Sequence, residues 1–457
     1  PLEKANSDGN ERSGAVQSIV RALDSINPFD PGIRMAHSGG ITTANVMPGS
    51  GNVIGGQTIY IKLRGNSPEQ MWIGTDGHFG GLKMANGENP KRSYGSKGQP
   101  PVTRMKVAAL QRSEFVKAQD YRRKWASFEK QRRRDDDALP PDRDLALEPL
   151  AEVLAGRRTV HFHTHRADDI LTVLRLKREF GFDLVVQHGT EAYKVIDQIA
   201  AADVPVSMTI VDSPGGKAEV VDFIEQCGAE LTRRGVKVHV NTDDPVTESR
   251  FFLRTAAATV RGGLDTATAL KAVTLYPAQA LRLGKRVGSL EPGKDADFVI
   301  LSGAPFSVYT RVLETWIDGR QVFDLSNPQQ RLYQEGGFQL ARRELIPAPT
   351  PAAKSRPVVD APRLPGTAKT VSIGSDTVLV LAGRLHRVSQ SPLENAAVLL
   401  RNGVIEAVGP IGKVKAPRGT PVITARVVTP GLIDTHTIVP LSGEYNIPAD
   451  QDQDETS

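Results

Sequence analysis

The sequence predicts an α/β protein: a (β/α)8 TIM-like barrel carrying a small β-sandwich. Three observations predict it. Between about Gly39 and Ser302, short β-rich runs alternate with amphipathic helical stretches. After Phe323 the texture changes to a proline-rich stretch and then to short strands separated by turn residues. One apolar run, TVHFHTHRADDI from Thr159 to Ile170, places three of the chain's nine histidines on alternate positions: His161, His163 and His165.

The strands read as GITTANVM, TIYIKL, GLKMAN, TVHFH, DLVVQH, VSMTIV and VKVHVNTD, the last ending at Asp243. Amphipathic segments such as ADDILTVLRLKREFG and AEVVDFIEQCGAELTRRG lie between several of them. Alternating strands and helices imply a parallel sheet with helical crossovers. Seven such strands fall one short of a closed eight-stranded barrel. The charged segment 108–134 has apolar residues at helical spacing and reads as a helical excursion between two barrel strands. Residues 342–370 carry six prolines and read as a linker. Beyond it, TVLVLAGRLHRV, AAVLLRNGVIEAVG and TPVITARVVTP suit a small sandwich.

Composition excludes more than it assigns. The 457 residues are 24% charged and 39% hydrophobic, ordinary for a soluble globular chain. A net charge of +5, spread over 57 basic and 52 acidic residues, brings no aromatic-interleaved basic stripe, so nucleic acid is not an expected partner. The sign-changing run QRRRDDD reads as a solvated helix end. The single cysteine, Cys227, excludes an intrachain disulfide and a cysteine-based metal site. No apolar run approaches the roughly 18 residues that cross a bilayer, so no membrane partner is expected. The chain starts at Pro1 without Met, which reads as a trimmed, processed or internal start. A cytoplasmic and a periplasmic location both stay open.

The histidines carry the chemistry. Side chains alternate faces along a strand, and in a barrel the C-terminal strand ends hold the active site. His163 falls at such an end, and His188 ends the next strand, 25 residues on. Adjacent strand ends thus offer two imidazoles to one mouth, and imidazole is a common zinc ligand. Asp243, at the end of VKVHVNTD, is placed to accept a proton from a metal-bound water. Glu88, just past GLKMAN, is a candidate anionic ligand, or else a loop carboxylate paired with Lys91 or Arg92. His161 reads as structural. His165 reads as a substrate contact or a support for the site. Arg166 and Asp168 read as a local ion pair, and Asp244 as a cap for the next helix. The glycine-rich PGSGNVIGGQ lacks a phosphate-loop pattern and reads as a tight turn at the barrel mouth.

Several of these stretches resemble the amidohydrolase superfamily, in the branch of imidazolonepropionase-like and dipeptidase-like metal hydrolases. TVHFHTHRADDI resembles its fifth strand, LVVQHGTEAY its sixth and VNTDDP its eighth. TLYPAQALRLGKRVGSLEPGKDADFVIL and VLETWIDGRQVFD resemble its C-terminal signature, and PGLIDTHT the entry to its first barrel strand. The resemblance implies a C–N bond hydrolase with His163 and His188 as metal ligands and Asp243 as acid/base, itself able to touch metal. His165 or an adjacent group would steady the oxyanion. The family's first strand carries Asp-x-His-x-His; here it reads Asp434, His436 and then Ile438. The lost histidine favours one divalent ion, zinc first, held by Glu88, His163 and His188, with His436 near it or on a weak second ion. The family's carboxylated lysine has no secure match here, with Lys83 as a candidate.

The order of the pieces departs from the family, whose sandwich strands and PGLID strand come first. Here the barrel strands 2–8 fall in 1–302, sandwich strands and a tail in 303–341, the linker in 342–370, further sandwich strands in 371–426, and the first barrel strand with its loop in 427–457. A window on a tandem of two such repeats, a circular permutation, and a numbering that departs from native order all give this arrangement. The expected partner is a small-molecule or peptide substrate, met by a basic loop with Lys91, Arg92, Lys97 and Arg104. A homo-oligomer and a pairing with a second repeat are the assemblies left open. The rival function is a catalytically degenerate repeat with a structural or binding role, motivated by Ile438 and the displaced strand.

Overall fold

The computed structural model describes residues 9–74, 77–210, 217–244, 246–336 and 377–441. The expected linker at 342–370 and the loop from 442 onward lie outside them. The strands before the linker are β1 (Ile41–Val46), β2 (Ile54–Gln57), β3 (Ile59–Lys62), β4 (Gly81–Ala85), β5 (Thr159–Thr164), β6 (Leu184–His188), β7 (Val206–Thr209), β8 (Val238–Asn241), β9 (Phe298–Leu301), β10 (Val312–Ile317) and β11 (Arg320–Asp324). After it come β12 (Thr377–Leu385), β13 (Leu393–Arg401), β14 (Val404–Pro410), β15 (Val422–Pro430) and β16 (Leu432–Thr437).

From β4 to β8, neighbours in sequence are neighbours in the sheet, all parallel. Every residue of β4, β5, β6 and β8 is buried, as expected of parallel strands covered on both faces. The helices between them do the covering. Helix Arg104–Arg132 starts where the Thr103 hydroxyl accepts the Lys106 N–H at 3.1 Å. Its buried Phe115 stacks on Phe180 and Phe182, with centroids 4.9 and 5.1 Å away. Helix Ala167–Phe180 stops at Gly181, whose φ of +75° suits a residue without Cβ.

The remaining strands do not all run parallel, which corrects the expectation. β1 pairs in parallel with β16, but antiparallel with β3, while β2 pairs antiparallel with β4. From β1 to β3 the chain holds no helix, so those two strands lack the helical crossover that parallel neighbours usually need. The ladders therefore form a three-stranded sheet, β16-β1-β3, and a six-stranded sheet, β2-β4-β5-β6-β7-β8. Thr58 alone separates β2 from β3, and a parallel bridge between Asp244 and Thr437 links the other two edges. Among the described residues no helix is long and apolar enough to cross a membrane.

The strands expected to make a sandwich form one sandwich-like sheet of seven, in the order β11-β10-β9-β15-β12-β13-β14. It is knit from both sides of the linker, because β15 lies antiparallel on β9, Val427 opposite Leu301. Phe298, Trp316, Val380, Val398 and Ile423 belong to its own apolar core. β15 passes into β16 through Gly431, where a Cβ would lie 2.3 Å from Thr42 Oγ1, so only glycine fits. Lys62 at the end of β3 ties the two parts together. Its Nζ lies 2.6 Å from Asp295 Oδ2 and 3.1 Å from Asp297 Oδ1, and it also bonds Asp318.

Candidate metal centre

Alternation places His161 and His163 on one face of β5, with Lys83 beside His161 in register on β4. His161 forms a lower layer: Tyr60 OH lies 3.1 Å from its Nε2, and Gln187 Nε2 donates to its Nδ1 at 3.0 Å. Burial lowers its pKa to about 3, so it is a neutral, hydrogen-bonded core histidine.

His188 reaches the site by a different route. Gln187 already faces inward, so strict alternation would turn His188 outward. Its φ is +67°, and this left-handed turn brings the ring back beside His163, with centroids 4.5 Å apart. Asp243, just past β8, has φ +45°. Left-handed backbone at a residue with Cβ costs on the order of 1–3 kcal/mol and collects at functional sites. Two of the candidate site residues therefore sit in strained conformations that the surrounding fold must hold.

Two groups of donor atoms result, each within 4.8 Å: His163, His165 and His188, and His188, Asp243 and His436. His188 belongs to both. His436 Nε2 is 3.3 Å from Asp243 Oδ1, and His188 Nδ1 is 3.8 Å from Asp243 Oδ2. All five residues are buried. Burial first, then neighbouring His188 and Lys217, holds the His163 pKa well below its usual value, so its ring is neutral as a ligand must be. Imidazole nitrogens with one carboxylate oxygen are a donor set that zinc accepts.

The surroundings orient these groups. Ser50 Oγ lies 2.9 Å from His163 Nδ1, Thr209 Oγ1 lies 2.9 Å from His188 Nδ1, and Thr190 Oγ1 lies 2.7 Å from His165 Nδ1. Lys217 donates to His165 Nε2 at 3.0 Å, and Lys83 to His436 Nε2 at 2.8 Å. Asp434 accepts the N–H of His436 at 3.1 Å and that of Thr242 at 3.2 Å, pinning the first strand to the eighth. Burial pushes its pKa up to about 7.

Glu88 is not brought to either group. It opens helix Glu88–Gly95, where its backbone N–H bonds the buried Glu219 carboxylate. The chain turns away at Gly87 (φ +80°), a break invisible in the apolar pattern. Arg104, one of the basic-loop residues, is engaged instead with Asp169 at 2.7 Å and with Glu219. Arg166 and Asp168 pair locally at 3.0 Å, and Asp244 accepts the Ser249 N–H at 2.7 Å. Sequence reasoning missed Ser50, Thr190, Thr209, Lys217 and Asn241. Asn241 had a signal, since it shares Asp243's face at period two; Lys217, on a loop, had none.

A family model described as "Amidohydrolase family" matches residues 154–323. Amidohydrolase tasK of Hapsidospora irregularis is 30% identical over 431 residues, which cover 90% of this chain and 42% of that protein. The chain thus spans less than half the length of that relative. A 5-methylthioadenosine/S-adenosylhomocysteine deaminase of Thermodesulfovibrio yellowstonii is 33% identical over 84 residues, 16% of this chain and 19% of its own length. The crystal structure of an amidohydrolase from Thermotoga maritima is 40% identical, covers 69% of this chain and 81% of its own, and superposes with a TM-score of 0.65. With its strand-end histidines and its aspartate gathered in one buried place, and with these relatives, the chain belongs to the amidohydrolase family.

Proposed function

We propose that this chain is a metal-dependent hydrolase of a C–N bond in an amide, cyclic amide or peptide-like substrate, using one divalent ion, zinc first. One observation carries the reading: two buried donor triads, His163–His165–His188 and His188–Asp243–His436, gather side chains from four separate strand ends and share His188. We also read the two sheets as one distorted barrel, β16-β1-β3/β2-β4-β5-β6-β7-β8. The ladders and the Asp244–Thr437 bridge support that ring.

A bound zinc polarises a carbonyl and supplies hydroxide near neutral pH. His163, a neutral imidazole, and His188 would hold the ion, with His436 beside them. The Asp243 carboxylate, within 3.3 Å of His436 and 3.8 Å of His188, would accept a proton from the attacking water and return it to the leaving nitrogen. Oxyanion stabilisation would fall to the His165–Lys217 pair, in which Lys217 Nζ donates to His165 Nε2 at 3.0 Å beside the site. Lys83, whose Nζ lies 2.8 Å from His436 Nε2, is the candidate counterpart of the family's carboxylated lysine.

The test is zinc stoichiometry by mass spectrometry with turnover on an amide and lactam panel. About one equivalent of zinc is expected, and Asp243→Asn should lower kcat by at least about 100-fold. Full activity in Asp243→Asn would reject that role. Wild-type protein with neither metal nor hydrolysis would leave the degenerate repeat as the better account.

A further inference from the structure

A neutral imidazole binds metal through one nitrogen only, and the hydrogen bond at the other decides which. At His188 that decision can be traced across the sheet. His188 Nδ1 lies 2.9 Å from Thr209 Oγ1. The Thr209 hydroxyl proton goes to Asn241 Oδ1 at 2.7 Å. A hydroxyl has one proton. With it given to Asn241, Thr209 can only accept from His188, so Nδ1 carries the hydrogen and the lone pair is on Nε2.

Asn241 is itself held in this orientation. Its Nδ2 donates to Ser207 Oγ at 2.7 Å and to Gln187 Oε1 at 3.5 Å. Ser207 shares a 2.6 Å bond with Thr435 Oγ1, and Gln187 Nε2 donates to His161 Nδ1. The members come from β6, β7, β8, β16 and β5. Asn241, Ser207, Gln187 and Thr435 are all fully buried, so water does not compete for the bonds among them, while Thr209 itself is half-buried. The opposite polarity would put the Thr209 proton on Nδ1 and a hydrogen on Nε2.

We infer that Thr209, oriented by Asn241, is a positioning residue that fixes His188 as the Nδ1–H tautomer and leaves Nε2 as its metal-binding atom. This rests on the metal reading above. The strand pattern marks Asn241 only by the face it shares with Asp243, and does not mark Thr209.

The experiment measures zinc affinity of metal-stripped protein by chelator competition, with the visible spectrum of the cobalt form as second readout. Outer partners of metal-bound histidines typically contribute roughly 10- to 100-fold in affinity. Thr209→Val keeps shape and removes the acceptor, so it should weaken zinc binding by about that factor. Thr209→Ser should restore it to within about threefold. Asn241→Leu, one bond further out, should weaken binding similarly, and the double variant should be no worse than either single, because both break one chain. Circular dichroism checks that each variant is folded, and the serine variant supplies the comparison if valine misfolds. Zinc affinity and cobalt spectra unchanged in both Thr209→Val and Asn241→Leu would overturn the inference while leaving the metal site standing. Wild-type protein that binds no zinc would overturn both.

Discussion

Lys62→Met is the sharpest test of how the site is held. The Lys62 side chain is fully buried, and its ammonium meets Asp295, Asp297 and Asp318, whose side chains are 14%, 3% and 30% exposed. Arg286 also binds Asp295, and Arg64 also binds Asp318. Three cations thus balance three carboxylates, and Asp297, the most buried, has Lys62 as its cation partner. Methionine fills much of the same volume but leaves one negative charge buried without compensation. Removing one partner of such a buried pair costs about 3–5 kcal/mol. Asparagine at 297 keeps an oxygen for the Asp318 N–H, now bonded at 2.9 Å, and removes the charge. Lys62→Met/Asp297→Asn should therefore recover about 1–3 kcal/mol over Lys62→Met.

The pH dependence has a definite sign. Burial raises the Asp297 pKa to about 6, although Lys62 pulls it down. A carboxyl raised above its unfolded value contributes fully below about pH 4 and loses that contribution as pH rises through its folded pKa. Without Lys62 the folded pKa rises further, so the deficit of Lys62→Met should grow between pH 5 and pH 8. Urea unfolding followed by far-UV circular dichroism reads both effects. A Lys62→Met protein within about 1 kcal/mol of wild type, or a double variant no more stable than the single, would refute the reasoning.

Other outcomes follow from the same structure. Ile438→His restores the second histidine of the first-strand pattern at a buried position two residues past His436, so metal content should rise from about one equivalent to about two. Unchanged stoichiometry by mass spectrometry would count against the placement of Ile438 at the site. Phe115→Ala removes a fully buried ring stacked between Phe180 and Phe182 and should cost about 3–5 kcal/mol, read by urea midpoint. Arg104→Met should lower stability without changing the KM ratio of acidic to neutral substrates, because its guanidinium is engaged by Asp169 and Glu219. A selective rise in KM for acidic substrates would return Arg104 to substrate binding.

The sequence by itself determined most of the strands, their parallel core and two of the candidate metal-site imidazoles, but it read as a turn the glycine-rich stretch that forms β2. Period-two alternation and the spacing from His163 to His188 are local properties of the chain, and local sterics impose them wherever the strand lies. The family resemblance added His436 despite its place near the other end. The tertiary structure decided the rest. It ran β3 antiparallel to β1 and β2 antiparallel to β4, with no helix between β1 and β3 to carry a parallel crossover. It left Glu88 out, because the chain turns at Gly87 into a helix. It brought His188 inward through a left-handed residue that alternation would have sent the other way. It also supplied Thr209, Asn241 and Lys217, whose meaning lies in the direction of hydrogen bonds between strands. Donor and acceptor polarity across a sheet depends on all its neighbours at once, so no window of sequence carries it.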